Sequence, residues 1–390
     1  MKYLLLRLKR FCGFIAGFVF FIAGIFKLLD PVGSGLVVKE YMDFLHIGFL
    51  SFMSKPLAFI LAFAEALIGT ALITGIWRRL TAVAALVFQV FFTVLTLILV
   101  IFNPQMDCGC FGEVVHLSHL ETFLKNIVIL LLLLAFIFPY RYLGGPKKHK
   151  YVSFGIVTAS VILFSAYTWL NIPFVDYTAF KPAAALQAGS AFGSGEDSMY
   201  EAVFEYEKDG SIQEFTLENL PDSTWTFVQT KTVSRQEDKT VSLSFYDKEG
   251  EYMDTLAVKG KVMVVSIYDT DIRQATWDRV AQFVDDAAQE GFRTLVLVNS
   301  LPENGKIDDI PLYCSDYKTL ISMNRSNGGV TYFSDGYLVK KWPLRAVPDK
   351  AELEEIYEGD ETEFIIGTTA VGSLAFQGFL LYVFAVMLLL

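Results

Sequence analysis

Two cysteines separated by a single glycine, Cys108-Gly109-Cys110, are the residues whose types and spacing most directly support chemistry. A disulfide across so short a span closes a small ring away from relaxed geometry. It is therefore easily reduced, which suits a catalytic bridge better than a structural one. Gly109 relieves part of the backbone strain, and Asp107 stands beside the pair. Dithiol exchange with another thiol protein is the first reading. A second is a metal site, because Cys108, Cys110, His116 and His119 together offer the soft ligands that zinc or copper takes. Against it, Ser118-His-Leu-Glu121 forms a capping box ahead of an apolar run, so a helix starts after Ser118 and the two histidines are not neighbours on one helical face. A third is a tight turn whose thiols do nothing.

Glu65 is the other residue that asks for a role. It stands in Leu61-Ala-Phe-Ala-Glu-Ala-Leu, near the middle of an apolar run, where an ionised side chain is costly unless it is paired or wetted. Counting along neighbouring runs puts Gln89 at comparable depth and Lys27 nearer an end, so Gln89 is the expected partner. Two roles are open for Glu65: relaying a proton to the redox loop or to a bound quinone, or tying helices together as a neutral hydrogen-bonded carboxyl. Gly24, Ala62, Ala66 and Gly69 allow close helix contact. Cys12, inside an apolar run, reads as packing. Cys314, the only cysteine of the hydrophilic part, reads the same way, with redox partnership to the loop as its alternative. The aromatic stretch from Tyr41 to Met53 reads as an interfacial helix in the outer loop, and His46 within it as interfacial.

The elements that must position these residues are membrane helices. Of 390 residues, 53% are hydrophobic and only 19% charged, which excludes an acidic disordered chain and an ordinary soluble enzyme. Runs long enough to cross a bilayer, about 20 residues each, occupy 11–29, 56–76, 80–102, 123–143, 151–170 and 364–390. The net charge of −10 is divided: residues 1–170 carry 14 Lys+Arg against 7 Asp+Glu, and 171–363 carry 18 against 35. So acidic a second part excludes nucleic acid as a partner. Basic clusters at the N-terminus, at Arg78-Arg79 and at 141–150 alternate with poorly charged connections. The preference of basic loops for the cytoplasm then puts both termini inside, and segments 30–55, 103–122 and 171–363 outside. In a bacterium this is an inner-membrane protein with its soluble domain in the periplasm, where thiols can oxidise.

In the outer region, residues 198–258 alternate short strand-like runs with turns and read as hairpins. Val262–Tyr268 and Thr294–Val298 read as buried parallel strands flanking a helix at Thr276–Gly291. A helix then precedes two strands around Asp335-Gly336, the strongest of hairpin turns, and a last helix covers Lys350–Tyr357. This βαβ unit followed by helix, hairpin and helix is the element order of a thioredoxin fold.

The opening helix with Gly24-Ile-Phe-Lys27-Leu-Leu-Asp30-Pro31, the Glu65 helix and Asp107-Cys-Gly-Cys-Phe-Gly112 resemble the MauE branch of the DoxX-like membrane proteins over residues 10–140. That resemblance implies a four-helix bundle similar in plan to quinone-linked vitamin K epoxide reductases, a role in periplasmic thiol chemistry and an association with methylamine metabolism. Residues 238–342 resemble a membrane-tethered thioredoxin-like domain. Where that family has Cys-x-x-Cys this chain has Tyr268-Asp-Thr-Asp-Ile-Arg-Gln-Ala275, and Gly328 aligns with its cis-proline, so the domain has no dithiol of its own.

The sequence thus leads to an α-helical polytopic membrane protein. A DoxX/MauE-like bundle is expected over 1–145, a fifth span over 146–172, a linker over 173–197, a β-rich segment over 198–258, a thioredoxin-like domain over 259–360 and a sixth span over 364–390. Cys108 and Cys110 would exchange electrons with a periplasmic thioredoxin-like partner, a client protein or a quinone, while the acidic domain docks the partner. The rival is a membrane scaffold or assembly factor with incidental thiols, lipid being its surroundings in either case.

Overall fold

The computed structural model describes residues 2–389 except 105, 107, 116, 139–147, 188–199, 209–210, 217–220, 222–224, 235–239 and 302–309. Among the described residues, six helices are long and apolar enough to cross a membrane. They lie in α1 (Lys2–Leu29), α3 (Ser54–Thr74), α4 (Arg78–Phe102), α5 (His119–Ile137), α6 (His149–Leu170) and α10 (Glu361–Leu389). Each contains or closely overlaps one of the apolar runs, because burying a run of that length in lipid leaves helix as the way to satisfy its backbone.

α1 is the central helix. One side packs Phe21, Ile25 and Leu28 with α3, α6 and α10; the other packs Cys12, Ala16 and Phe20 with α3, α4 and α5. The tightest seam is with α3, where a Cβ on Gly24 would stand 2.5 Å from the Ala66 nitrogen. At one end of the bundle, Lys9 Nζ donates to the Ile137 carbonyl at the end of α5, and Lys150 Nζ to Met387 near the end of α10. Cations thus meet the exposed carbonyls of two helix C-termini, where the helix dipole favours them.

At the opposite end, the interfacial helix expected over Tyr41–Met53 is replaced by a helix that starts ten residues earlier and stops at Phe44. Residues Pro31–Phe44 form α2, begun by Asp30, whose Oδ1 accepts from the Gly33 amide at 2.9 Å, and by Pro31 in the first turn. A 3₁₀ turn, Gly48–Met53, leads into α3 and leaves Phe49 and Phe52 more than three-quarters exposed.

The region after α6 builds an eight-stranded sheet from β2 (Ala185–Leu186), β6 (Thr240–Val241), β7 (Phe245–Tyr246), β8 (Lys261–Ile267), β9 (Arg293–Val298), β10 (Leu312–Ser315), β11 (Gly329–Ser334) and β12 (Tyr337–Trp342). Their order is β6-β2-β12-β11-β8-β9-β10-β7. β8, β9 and β10 run parallel, and β11 and β12 antiparallel to their neighbours. Along β8 the side chains alternate: Met263, Val265 and Ile267 enter the core beneath α7 (Gln274–Gln289) and α9 (Lys350–Glu358), Val262 and Val264 the core on the side of α8 (Tyr317–Met323). Ala185–Leu186 joins this sheet, so the stretch read as linker contributes a strand. β3 (Tyr200–Lys208), β4 (Ser211–Thr216) and β5 (Thr226–Ser234) pair separately as a three-stranded antiparallel sheet. β2 and β6 lie side by side in parallel, so this small sheet is an insertion that leaves and re-enters the large one at adjacent strands.

Candidate functional site

The cysteine loop connects α4 to α5 at the α2 end of the bundle. α4 stops at Asn103 in the left-handed conformation, and α5 starts with the capping box: Ser118 Oγ accepts from the Glu121 amide, and Glu121 returns a carboxylate to the Ser118 amide. Between them, strand β1 (Cys110–Glu113) lies against α1 and α2. Gly109 has φ +57°, and a Cβ there would stand 2.4 Å from Val37 Cγ1 on α2. Both backbone and space therefore demand glycine between the thiols.

Cys108 is buried and Cys110 half-buried. Tyr41 Oη, from α2, donates to the Cys108 carbonyl at 2.9 Å. Burial first, then the charges that Cys110, Cys108 and Glu40 can carry, push the Tyr41 pKa well above that of a free phenol. It stays a hydrogen-bond donor at any physiological pH.

Beneath the loop lies an apolar cavity of about 210 Å³. Cys108, Gly109 and Cys110 line it together with Tyr41, Phe92 and Lys27. Lys27 closes an ion pair with Glu65 at 2.5 Å, both side chains less than one-fifth exposed. This corrects the expected Glu65–Gln89 partnership. Gln89 instead donates to the Asn126 carbonyl at 3.0 Å, joining α4 to α5. The close approach at Gly24 explains the choice, because Lys27 is one turn beyond Gly24 and Glu65 is next to Ala66 on the same seam.

His119 sits in the first turn of α5, with Nδ1 3.2 Å from Asn103 Oδ1 and Nε2 3.0 Å from the Met106 carbonyl. Its ring ties the two ends of the loop together. Among the described residues no three His, Cys, Asp or Glu side chains gather as a metal would require; Asp107 and His116 lie outside the described residues. Cys314 is in the sheet core with Trp277 and Val298, where burial pushes its thiol pKa up. His46 is exposed at the end of α2.

A part of the site with no counterpart in the sequence reading is Arg325, between α8 and β11. Its side chain is 4% exposed. Nε donates to Asp30 Oδ2 at 2.8 Å, Nη2 to Glu113 Oε1 at 3.0 Å and Nη1 to the Ile321 carbonyl at 3.1 Å. Burial works against this guanidinium, but Asp30, Glu113 and Asp176 outweigh it and raise its pKa further. Asp176 in turn holds Lys341, on which burial is the larger influence and lowers the pKa. At the edge of this junction Lys318 pairs with Glu40, and Lys39 lies over the Tyr317 ring. The sheet domain is thus seated on α2 and β1, the two elements that frame the thiols. Arg325 has no local signature, since its two acidic partners are 295 and 212 residues away.

Two family models match the chain. Residues 2–139, about a third of it, match the family described as methylamine utilisation protein MauE, and residues 200–237 match a domain of unknown function. The first match spans the bundle from α1 to α5, and the second falls on the inserted three-stranded sheet. No curated protein and no solved structure matches.

Proposed function

We propose that the MauE-type bundle is a thiol–disulfide exchange module of the bacterial inner membrane, with Cys108 and Cys110 as its reacting pair on the periplasmic face. The observation that carries this reading is the joint placement of both cysteines, with Gly109 in a conformation only glycine takes easily, on the roof of an apolar cavity at the α2 end of the bundle. The more exposed Cys110 meets the partner. Its thiolate attacks one sulfur of the partner's disulfide and expels the other as a thiolate; Cys108 then attacks Cys110 Sγ, closes the intramolecular disulfide and releases the partner's second thiolate. Two electrons pass to the partner, and the reverse direction uses the same steps.

The sheet domain has the strand order, directions and helix positions that support a thioredoxin-like reading from β8 onward. In that reading the segments aligned with the missing Cys-x-x-Cys and the cis-proline are in contact: the Asp269 amide donates to Asn327 Oδ1, and Asn327 Nδ2 to the Asp269 carbonyl. Lacking thiols there, the domain serves to dock the thioredoxin-like partner or client. The cavity walls, with Phe91, Phe92, Leu57 and Leu61, also suit a lipid-soluble quinone, which when bound would supply a two-electron acceptor. The family name points to methylamine utilisation, and maturation of a protein of that pathway is the biological role consistent with it. Basic residues at the Lys9 and Lys150 end favour a cytoplasmic location for both termini.

Trapping tests the exchange. Cys108→Ser leaves Cys110 without its resolving thiol, so a mixed disulfide with the partner accumulates on non-reducing gels and disappears with dithiothreitol. Absence of any adduct in Cys108→Ser and in Cys110→Ser cells would favour the scaffold reading instead.

A further inference from the structure

We infer that Arg325 is a positioning residue for the cysteine pair, and that it couples the redox state of the pair to the seating of the sheet domain. This inference rests on the thiol-exchange reading and adds the regulation of that site. The guanidinium grips both walls of the loop. Glu113 closes strand β1, three residues after Cys110. Asp30 begins α2, the helix whose Val37 packs on Gly109 and whose Tyr41 holds the Cys108 carbonyl. One side chain of the sheet domain therefore sets the distance between the wall that carries Cys110 and the wall that supports Cys108.

Chemistry favours arginine for this task. Its planar fork presents separate N–H groups to two carboxylates and a carbonyl at once, which a lysine ammonium on a flexible stem does not reproduce. The remainder of the junction is also charged: Lys341 and Asp176 continue the network into the sheet domain and the segment after α6. A buried network of this kind has few alternative arrangements, because removing one member leaves the others unpaired out of water. Glu113 ends the strand that Cys110 begins, so any change of loop geometry on closing the Cys108–Cys110 bond reaches it along that strand. The arrangement that Arg325 favours is then favoured or opposed by the bond. Linkage is reciprocal: if seating the domain changes the disulfide equilibrium by some factor, the disulfide changes the seating equilibrium by the same factor.

The test is a glutathione titration of the purified full chain, in which Cys108 and Cys110 lose two protons and two electrons to one oxidised glutathione and yield two reduced glutathiones. The fraction oxidised is read by alkylation and mass. Arg325→Met is expected to change the equilibrium constant by about tenfold, which corresponds to about 30 mV for two electrons. Arg325→Lys should fall between Met and the parent. Glu113→Gln alters the more solvent-accessible partner, leaves the Asp30 contact in place and should shift the constant in the same direction, which keeps the test open if Arg325→Met does not fold. Shifts below threefold in folded Arg325→Lys and Glu113→Gln, with a parent pair that does titrate, overturn the positioning role while leaving thiol exchange standing. A parent pair that forms no disulfide at any glutathione ratio refutes the exchange reading itself. In the reciprocal arm, protease cleavage between α6 and β8 should differ between oxidised and reduced parent, and this difference should vanish in Arg325→Met.

Discussion

Removing one member of the Lys27–Glu65 pair should be far more damaging than removing both. The two groups are 2.5 Å apart, with side chains 16% and 13% exposed, inside helices that face lipid or each other. A lone charge at the centre of a membrane helix costs about 3 kcal/mol on the membrane-insertion scale, and breaking a buried pair in soluble proteins costs about 3–5 kcal/mol. Lys27→Met and Glu65→Leu should therefore each destabilise the bundle by about 3 kcal/mol. The double variant, which buries two apolar side chains instead, should lie within about 1 kcal/mol of the parent. Gln89→Leu serves as the contrast: it removes the bond to Asn126, and its effect should add to that of Glu65→Leu within about 0.5 kcal/mol, as independent sites do. The assay is an SDS titration of the detergent-solubilised full chain followed by its helical circular dichroism. Single variants within about 1 kcal/mol of the parent, or strong coupling of Gln89 to Glu65, would refute the pairing.

Other consequences can be checked separately. Gly109→Ala places a methyl group against Val37 in a left-handed conformation that costs about 1–2 kcal/mol before any clash; it should speed alkylation of Cys108, and adding Val37→Ala should restore only part of the protection. The Tyr41 phenol has its pKa raised in the folded protein, so its contribution to stability is complete below the unfolded value near 10 and is lost at about 1.4 kcal/mol per pH unit above it. Denaturation of Tyr41→Phe at neutral pH should show a loss of about 1 kcal/mol, and a shallower decline between pH 10 and about 11.5 than the parent shows. Phe49, exposed on the 3₁₀ turn, should lie in the bilayer interface: tryptophan placed there by Phe49→Trp should be quenched by brominated lipid, and lack of quenching would remove that turn from the membrane.

Much of the bundle is legible in the sequence because lipid imposes one rule on long apolar runs. The capping box at Ser118 is equally local and fixes the start of α5. Helix α2 escapes hydropathy because Pro31–Phe44 mixes Gly33, Ser34, Lys39 and Glu40 with apolar residues; its signal is the Asp30-Pro31 cap, and its stability comes from packing on α3. Depth along a helix says nothing about rotation around it, so counting residues points Glu65 to Gln89 rather than to Lys27. The seam of Gly24, Ala62 and Ala66 held that information, since Lys27 and Glu65 share its face. The nearly unbroken apolar run of β8 and the Asp335-Gly336 turn make the sheet core readable, whereas the joining of Ala185–Leu186 to it depends on pairing with strands more than 50 residues away. Arg325 is the extreme case: the pairing that seats one domain on the other is made of residues that no sequence window contains.

The proposed activity is the cycling of Cys108 and Cys110 between dithiol and disulfide on the outer face of the membrane. It is tested most directly by acid-quenching growing cells, alkylating every free thiol and reading the redox state of the two residues, with a membrane-impermeant reagent applied first to parallel samples. Thiol exchange on that face predicts a pair that reacts from outside when reduced, is found partly as a Cys108–Cys110 disulfide, and shifts between the two forms when the redox conditions of growth change. A pair that stays fully reduced under every condition, or that reacts only after the membrane is opened, would contradict it.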